Sequence, residues 1–166
     1  NEKLGSVDNK RVLILGDVLH SRVALSNIFA LKLLGAKIKV CGPKSLIPKF
    51  IENFDINYEP NLEKGLYWCD AVNILRVQNE RMNEIYFPSL REYHNLYGIK
   101  LTSIKNLRKE ILILHPGPIN RGVEITSEVL DNKKTIVLDQ VENGVAIRMA
   151  VLYLLASKKN GISNSN

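Results

Sequence analysis

A chain of 166 residues is one domain of ordinary size, long enough to bury a single core. With 45% hydrophobic and 24% charged residues, it has the composition of a soluble globular protein and not of a disordered or fibrous one. No apolar run approaches the roughly 20 residues that span a bilayer, so no membrane partner is expected, and the polar start "NEKLGSVDNK" carries no secretory pattern. The net charge of +6, from 23 Lys and Arg against 17 Asp and Glu, is spread along the chain without a block of like charges; that suits anionic small molecules better than nucleic acid. Cys41 and Cys69 lie in or beside apolar segments with no CxxC spacing, as expected of buried, reduced thiols in a cytoplasmic protein. His20, His94 and His115 make no zinc-ligand spacing with them, so a metal site is not expected. The first residue is Asn, as in a processed or trimmed chain or a fragment.

In chain order, "RVLIL" (11–15) reads as a strand. In "SRVALSNIFALKLLG", which follows, Ala24, Ile28, Leu31 and Leu34 keep helical spacing until Gly35. "KIKVC" (37–41) is a second strand, stopped by "GPKS". A helix beginning near Pro48, a short strand at 56–59 and a helix across "NLEKGLYWC" come next. "AVNIL" (71–75) is a buried strand, 79–109 is polar with a helix around "SLREYHNLYG", and "EILIL" (110–114) is a further strand. A last helix is expected over 141–156, with Val141, Val145, Met149, Leu152 and Ala156 on one stripe, before a solvated tail over 157–166. Strand–helix alternation of this kind predicts an α/β, Rossmann-like, doubly wound parallel sheet with helices on both faces and right-handed crossovers.

Ligands of such sheets bind beyond the C-terminal ends of the strands. Three unusual segments follow strands: "GDVLHSR", "RVQNER" and "HPGPINRG". In the first, Asp17 or Ser21 is placed to cap the next helix. Arg22 then falls in the first helical turn, where the dipole disfavours a cation; it is either a solvated surface residue or a partner for an anion that also meets the helix's N–H groups. In the second, strand alternation puts Arg76 and Gln78 on one side, and a guanidinium fork with an amide suits a carboxylate. Glu80 and Arg81 are alternatively a structural pair. In the third, Pro116 and Pro118 bring no N–H and fix φ, so Pro116, Gly117 and Pro118 form a rigid turn in which carbonyl acceptors dominate, or simply a turn that ends a strand. Arg121 and Glu124 are spaced to close the loop by a salt bridge. Arg148, near the apolar stripe of the last helix, snorkels or pairs with a carboxylate such as Glu142.

Together "GDVLHSRVALSN", "LRVQNER", "HPGPINRGVEI" and "QVENGVAIRMAVL" resemble, in order and spacing, the C-terminal, aspartate-binding half of aspartate carbamoyltransferase catalytic chains, from Gly5 to about Leu155. The resemblance implies transfer of the carbamoyl group of carbamoyl phosphate to the amine of L-aspartate, in pyrimidine biosynthesis. It assigns Arg22 to the α-carboxylate of aspartate and Arg76 with Gln78 to its side-chain carboxylate. Pro116, Gly117 and Pro118 become the turn whose carbonyls face the carbamoyl group and the attacking amine, with a cis Gly117–Pro118 bond. Arg148 matches a structural position of the last helix. The related ornithine enzymes carry an H-C-L-P turn where this chain has Pro116–Gly117. No cofactor is implied; the implied partners are a missing N-terminal carbamoyl-phosphate domain and the other subunits of a homotrimer.

The chain departs from the family pattern at Leu25, where a second arginine is common, and in lacking the S-x-R-T-type phosphate motif and the catalytic histidine of the other half. Residues 1–156 are therefore expected to be the aspartate-binding domain, inactive by itself. A stand-alone, non-catalytic module that binds a dicarboxylate or a partner subunit is the alternative. A nucleotide-binding oxidoreductase domain is disfavoured because the G-x-G-x-x-G fingerprint is missing.

Overall fold

A computed structural model of the protein describes residues 5–78, 87–107, 110–132 and 135–161, with side-chain environments for all of these up to 157. Five strands, β1 (Arg11–Leu15), β2 (Lys37–Cys41), β3 (Asn57–Tyr58), β4 (Ala71–Ile74) and β5 (Leu112–Leu114), pair in the order β3-β2-β1-β4-β5. All pairings are parallel. The helices are α1 (Arg22–Leu33), α2 (Leu62–Trp68), α3 (Leu90–Tyr97), α4 (Leu101–Lys105), α5 (Ser127–Leu130) and α6 (Val137–Gly161). The α/β, doubly wound reading from sequence therefore holds.

Alternation along β1 explains the two layers. Leu13 and Leu15 point into a core shared with Leu62 and Leu66 of α2, Ile104 of α4, Ile113 of β5 and Val129 of α5. Ile14 points the other way, into a core with Ala24 and Ile28 of α1 and with Ile38 and Val40 of β2. Continuous apolar strands buried on both faces are what parallel sheets require.

Several boundaries differ from the sequence reading. In place of a helix from Pro48 there is one 3-10 turn, Ile51–Phe54, ended by Asp55 at φ 57°. β5 begins two residues late, at Leu112. The last helix begins earlier and runs to Gly161, through the first half of the segment read as a tail; 162–166 lie outside the described residues. Its stripe is not buried either. Val141, Val145, Met149 and Leu152 are 50–65% exposed, because apolar residues recur all round this helix and it has little to lean on except its first turns beside β5. Among the described residues, no helix is long and apolar enough to cross a membrane.

Candidate functional site

β1 and β4 are neighbours, with Leu15 beside Ile74, and β4 and β5 are neighbours, with Asn73 beside Leu114. The three segments that follow these strands consequently emerge side by side on one rim. Their approach is close. Gly16, directly after β1, donates its N–H to the Cys41 carbonyl (2.8 Å), and Leu75 donates to the Leu15 carbonyl (2.7 Å).

In the first segment Ser21 is the cap of α1, its Oγ accepting the Ala24 N–H at 3.2 Å. Asp17 does not share that task. Fully buried, it accepts the His20 backbone N–H (3.1 Å) and holds the His20 ring through Nδ1 (2.9 Å). Arg22 is the first helical residue and is exposed, in a turn with no acidic side chain. The helix start therefore presents a cation beside backbone N–H groups, a combination that attracts anions.

In the second segment burial alternates: Leu75 and Val77 are 1% exposed, whereas Arg76 and Gln78 are half-buried. Burial thus alternates as a common side for Arg76 and Gln78 would require, although β4 itself ends at Ile74. Gln78 Nε2 donates to the His20 carbonyl (3.3 Å), fastening the second segment to the first. Glu80 and Arg81 lie outside the described residues.

In the third segment the Gly117–Pro118 peptide is cis, as the resemblance implied, and Gly117 has φ 66°, a conformation that favours glycine. The Gly117 N–H is donated to His115 Nδ1 (3.0 Å). With that donor used and two prolines flanking it, the turn's remaining main-chain polar groups are carbonyl oxygens. His115 is fully buried, its own N–H held by Gln140 Oε1 of α6 (2.9 Å). Burial pushes its imidazole pKa down to about 4, so the ring is neutral at pH 7 and accepts through Nδ1.

The expected Arg121–Glu124 salt bridge does not form. Arg121 is exposed and donates to Ser127 Oγ (3.4 Å). Glu124 is fully buried, and its carboxylate accepts N–H groups from Val77 and Asn120. Arg148 is exposed, and among the described residues no ion pair joins it to Glu142. Sequence reasoning missed Asn120 altogether. The one signal for Glu124 was its place between Val123 and Ile125, where a carboxylate enters the core only with donors waiting for it.

Cys41 and Cys69 are buried, reduced thiols, and burial pushes the Cys41 thiol up to about 12, which keeps it protonated at pH 7. Among the described residues, no group of three His, Cys, Asp or Glu side chains is placed to hold a metal. A groove of about 550 Å³ runs along a face of the sheet between α1 and α6, with Val12, Ala71 and Leu112 along its floor and Leu114 and Gln140 at the end beside the third segment.

Residues 8–155 match the family described as aspartate/ornithine carbamoyltransferase, Asp/Orn binding domain. The chain belongs to this carbamoyltransferase family. It is 64% identical over 157 residues to an aspartate carbamoyltransferase catalytic subunit of Flavobacterium johnsoniae, covering 95% of this chain and 51% of that one. The chain thus spans about half the length of the curated relatives it matches. Among solved carbamoyltransferase structures, the catalytic subunit of M. jannaschii aspartate transcarbamoylase superposes with a TM-score of 0.77 at 27% identity, over 96% of this chain and 53% of that one. An ornithine carbamoyltransferase from Pyrococcus furiosus superposes with a TM-score of 0.74 at 22% identity, over 91% of this chain and 51% of that one. The fold is therefore common to both branches of the family.

Proposed function

We propose that this chain is the L-aspartate-binding half of an aspartate carbamoyltransferase that works in the cytoplasm in pyrimidine biosynthesis. The observation that carries this reading is the gathering of two arginines and a carbonyl-rich turn on one rim: Arg22 beside the α1 N-terminus, Arg76 with Gln78 after β4, and Pro116–Gly117–Pro118 after β5. A dicarboxylate needs two cationic sites. Arg22 takes the α-carboxylate and Arg76, assisted by Gln78, takes the side-chain carboxylate. The relatives named aspartate carbamoyltransferase support aspartate over ornithine, which has a single carboxylate to bind.

The neutral amine of aspartate attacks the carbonyl carbon of carbamoyl phosphate, a C–N bond forms, the C–O bond to phosphate breaks, and the proton shed by the amine ends on the departing phosphate. N-carbamoyl-L-aspartate and phosphate result. The role of this half is orientation: with both carboxylates clamped, the amine is directed towards the Pro116–Pro118 carbonyls, which accept N–H groups of the amine and of the carbamoyl group. The phosphate-binding groups come from an N-terminal domain, and that domain lies over α6 and the neighbouring groove, covering the side chains exposed here. The assembly is a homotrimer of the longer chain.

The test is a calorimetric titration of the longer enzyme, in the presence of carbamoyl phosphate, with succinate as an unreactive aspartate stand-in and norvaline as an ornithine stand-in. Saturable succinate binding that Arg76→Ala weakens about a hundredfold, with no response to norvaline, is the expected result. Equal succinate affinity in the Arg76→Ala variant would remove Arg76 from the site.

A further inference from the structure

Val77 lies between the two side chains assigned to the aspartate side-chain carboxylate, and both of its main-chain groups are captured from the β5 side. Its N–H is donated to Glu124 Oε1 (2.8 Å), and its carbonyl accepts Asn120 Nδ2 (3.2 Å). Asn120 closes the arrangement, with Nδ2 donating to Glu124 Oε1 (2.8 Å) and its backbone N–H to Glu124 Oε2 (2.9 Å). The Asn120 amide can face only one way, because a carboxylate and a carbonyl are both acceptors. Glu124 is itself anchored, as its carbonyl accepts the Ile99 N–H (2.9 Å).

The N–H of Val77 belongs to the peptide joining it to Arg76, and its carbonyl to the peptide joining it to Gln78. Fixing both peptide planes fixes the directions in which the Arg76 and Gln78 side chains leave the backbone. Nothing in β4 does this, since the strand ends at Ile74. A buried carboxylate is an expensive way to close a loop; burial pushes its pKa up, and the N–H donors of Val77 and Asn120 pull it back down.

We infer that Glu124, together with Asn120, is a positioning residue for aspartate: it touches no substrate and acts by holding the Arg76–Val77–Gln78 backbone in the carboxylate-binding arrangement. The inference rests on the assignment of Arg76 and Gln78 made above. It goes beyond that assignment by making substrate affinity depend on a buried carboxylate in a different loop.

The experiment is steady-state kinetics of the longer enzyme carrying Glu124→Gln, Asn120→Ala or Arg76→Ala, with each substrate titrated in turn. Both Glu124 oxygens face N–H donors, so every rotamer of Glu124→Gln sets a donor against a donor. Asn120→Ala is milder, removing only the side-chain bridge. The expected result is a KM for aspartate raised about tenfold by Glu124→Gln and less by Asn120→Ala, with the KM for carbamoyl phosphate within about twofold of the parent value. A purely structural role would instead lower kcat through loss of active enzyme and leave both KM values alone, and that outcome overturns the inference. So does an equal rise in both KM values. If Glu124→Gln yields no folded enzyme, Asn120→Ala decides on the same criteria. Arg76→Ala separates the two levels: an unchanged aspartate KM there sinks the site assignment, whereas a raised one with unaltered Glu124→Gln and Asn120→Ala kinetics sinks only the positioning role.

Discussion

His115 shows how a residue next to a strand end is set by burial before it is set by chemistry. The ring lies within the core edge, accepts the Gly117 N–H through Nδ1, and is kept neutral with its pKa pushed down to about 4. Because the folded value lies below the unfolded 6.5, the unfolded chain takes up the proton first. The contribution of His115 to stability is therefore whole above pH 6.5 and is lost as pH falls from there through about 4. Glu124, whose pKa is raised by burial, acts in the opposite sense, losing its contribution as pH rises through its folded pKa. Comparison with His115→Asn, which keeps an acceptor near the Nδ1 position without the proton, cancels Glu124 and isolates the imidazole. The parent protein is expected to lose stability relative to His115→Asn as pH falls from 6.5 to 4, measured as urea midpoints; parallel curves would mean the ring is not held neutral. At this scale the sequence was legible where a residue's own chemistry dictates its place. The prolines around Gly117 and the helix-capping serine were so. It was not legible for Asp17, Asn120 or Glu124, whose partners are backbone N–H groups or ring atoms that only the folded loops bring near.

At the scale of elements, apolar runs marked the positions of β1, β2, β4 and β5, since a strand buried on both faces has little choice of composition. Boundaries were harder. β5 is shorter than the strand expected over 110–114, because Glu110 and Ile111 stay outside the sheet. The 3-10 turn at Ile51–Phe54 shows that apolar spacing over a few residues does not fix the helix type. The rim is built where strand ends turn sharply, and Gly42 shows how little room they have. At φ 154° its missing Cβ would stand 2.7 Å from the Gly16 carbonyl oxygen. That neighbour is backbone at the mouth of the first site segment and cannot rotate away. Gly42→Ala is expected to destabilise the fold by more than about 1 kcal/mol and to displace the Gly16–Ser21 segment, read out by thermal unfolding and by weaker succinate binding. Unchanged stability would mean that β2 and β1 are free to separate at this point.

For the whole molecule, α6 is the element that leaves apolar side chains in solvent along most of its described length. That helix carries Leu138, Ile147 and Tyr153 at 67–84% exposure, far more apolar surface than an isolated domain keeps in water without a cover. The sequence contains this information in disguise: an apolar pattern on every side of a long helix signals burial on every side, not along a single stripe. What the chain alone cannot build, its relatives have the length to supply, since they are about twice as long. On the proposed reading, the exposed apolar surface of α6 and a rim offering two cations and a carbonyl turn are two sides of the same half-enzyme.

The measurement that bears most directly on that reading is N-carbamoyl-aspartate formation by the longer enzyme, with aspartate titrated at saturating carbamoyl phosphate, for the parent and for Arg22→Ala and Arg76→Ala. Loss of aspartate affinity by about a hundredfold in each variant, with carbamoyl phosphate still bound as in the parent, is the predicted result. Aspartate kinetics untouched by both substitutions would contradict it, and would move the amino-acid site off this rim.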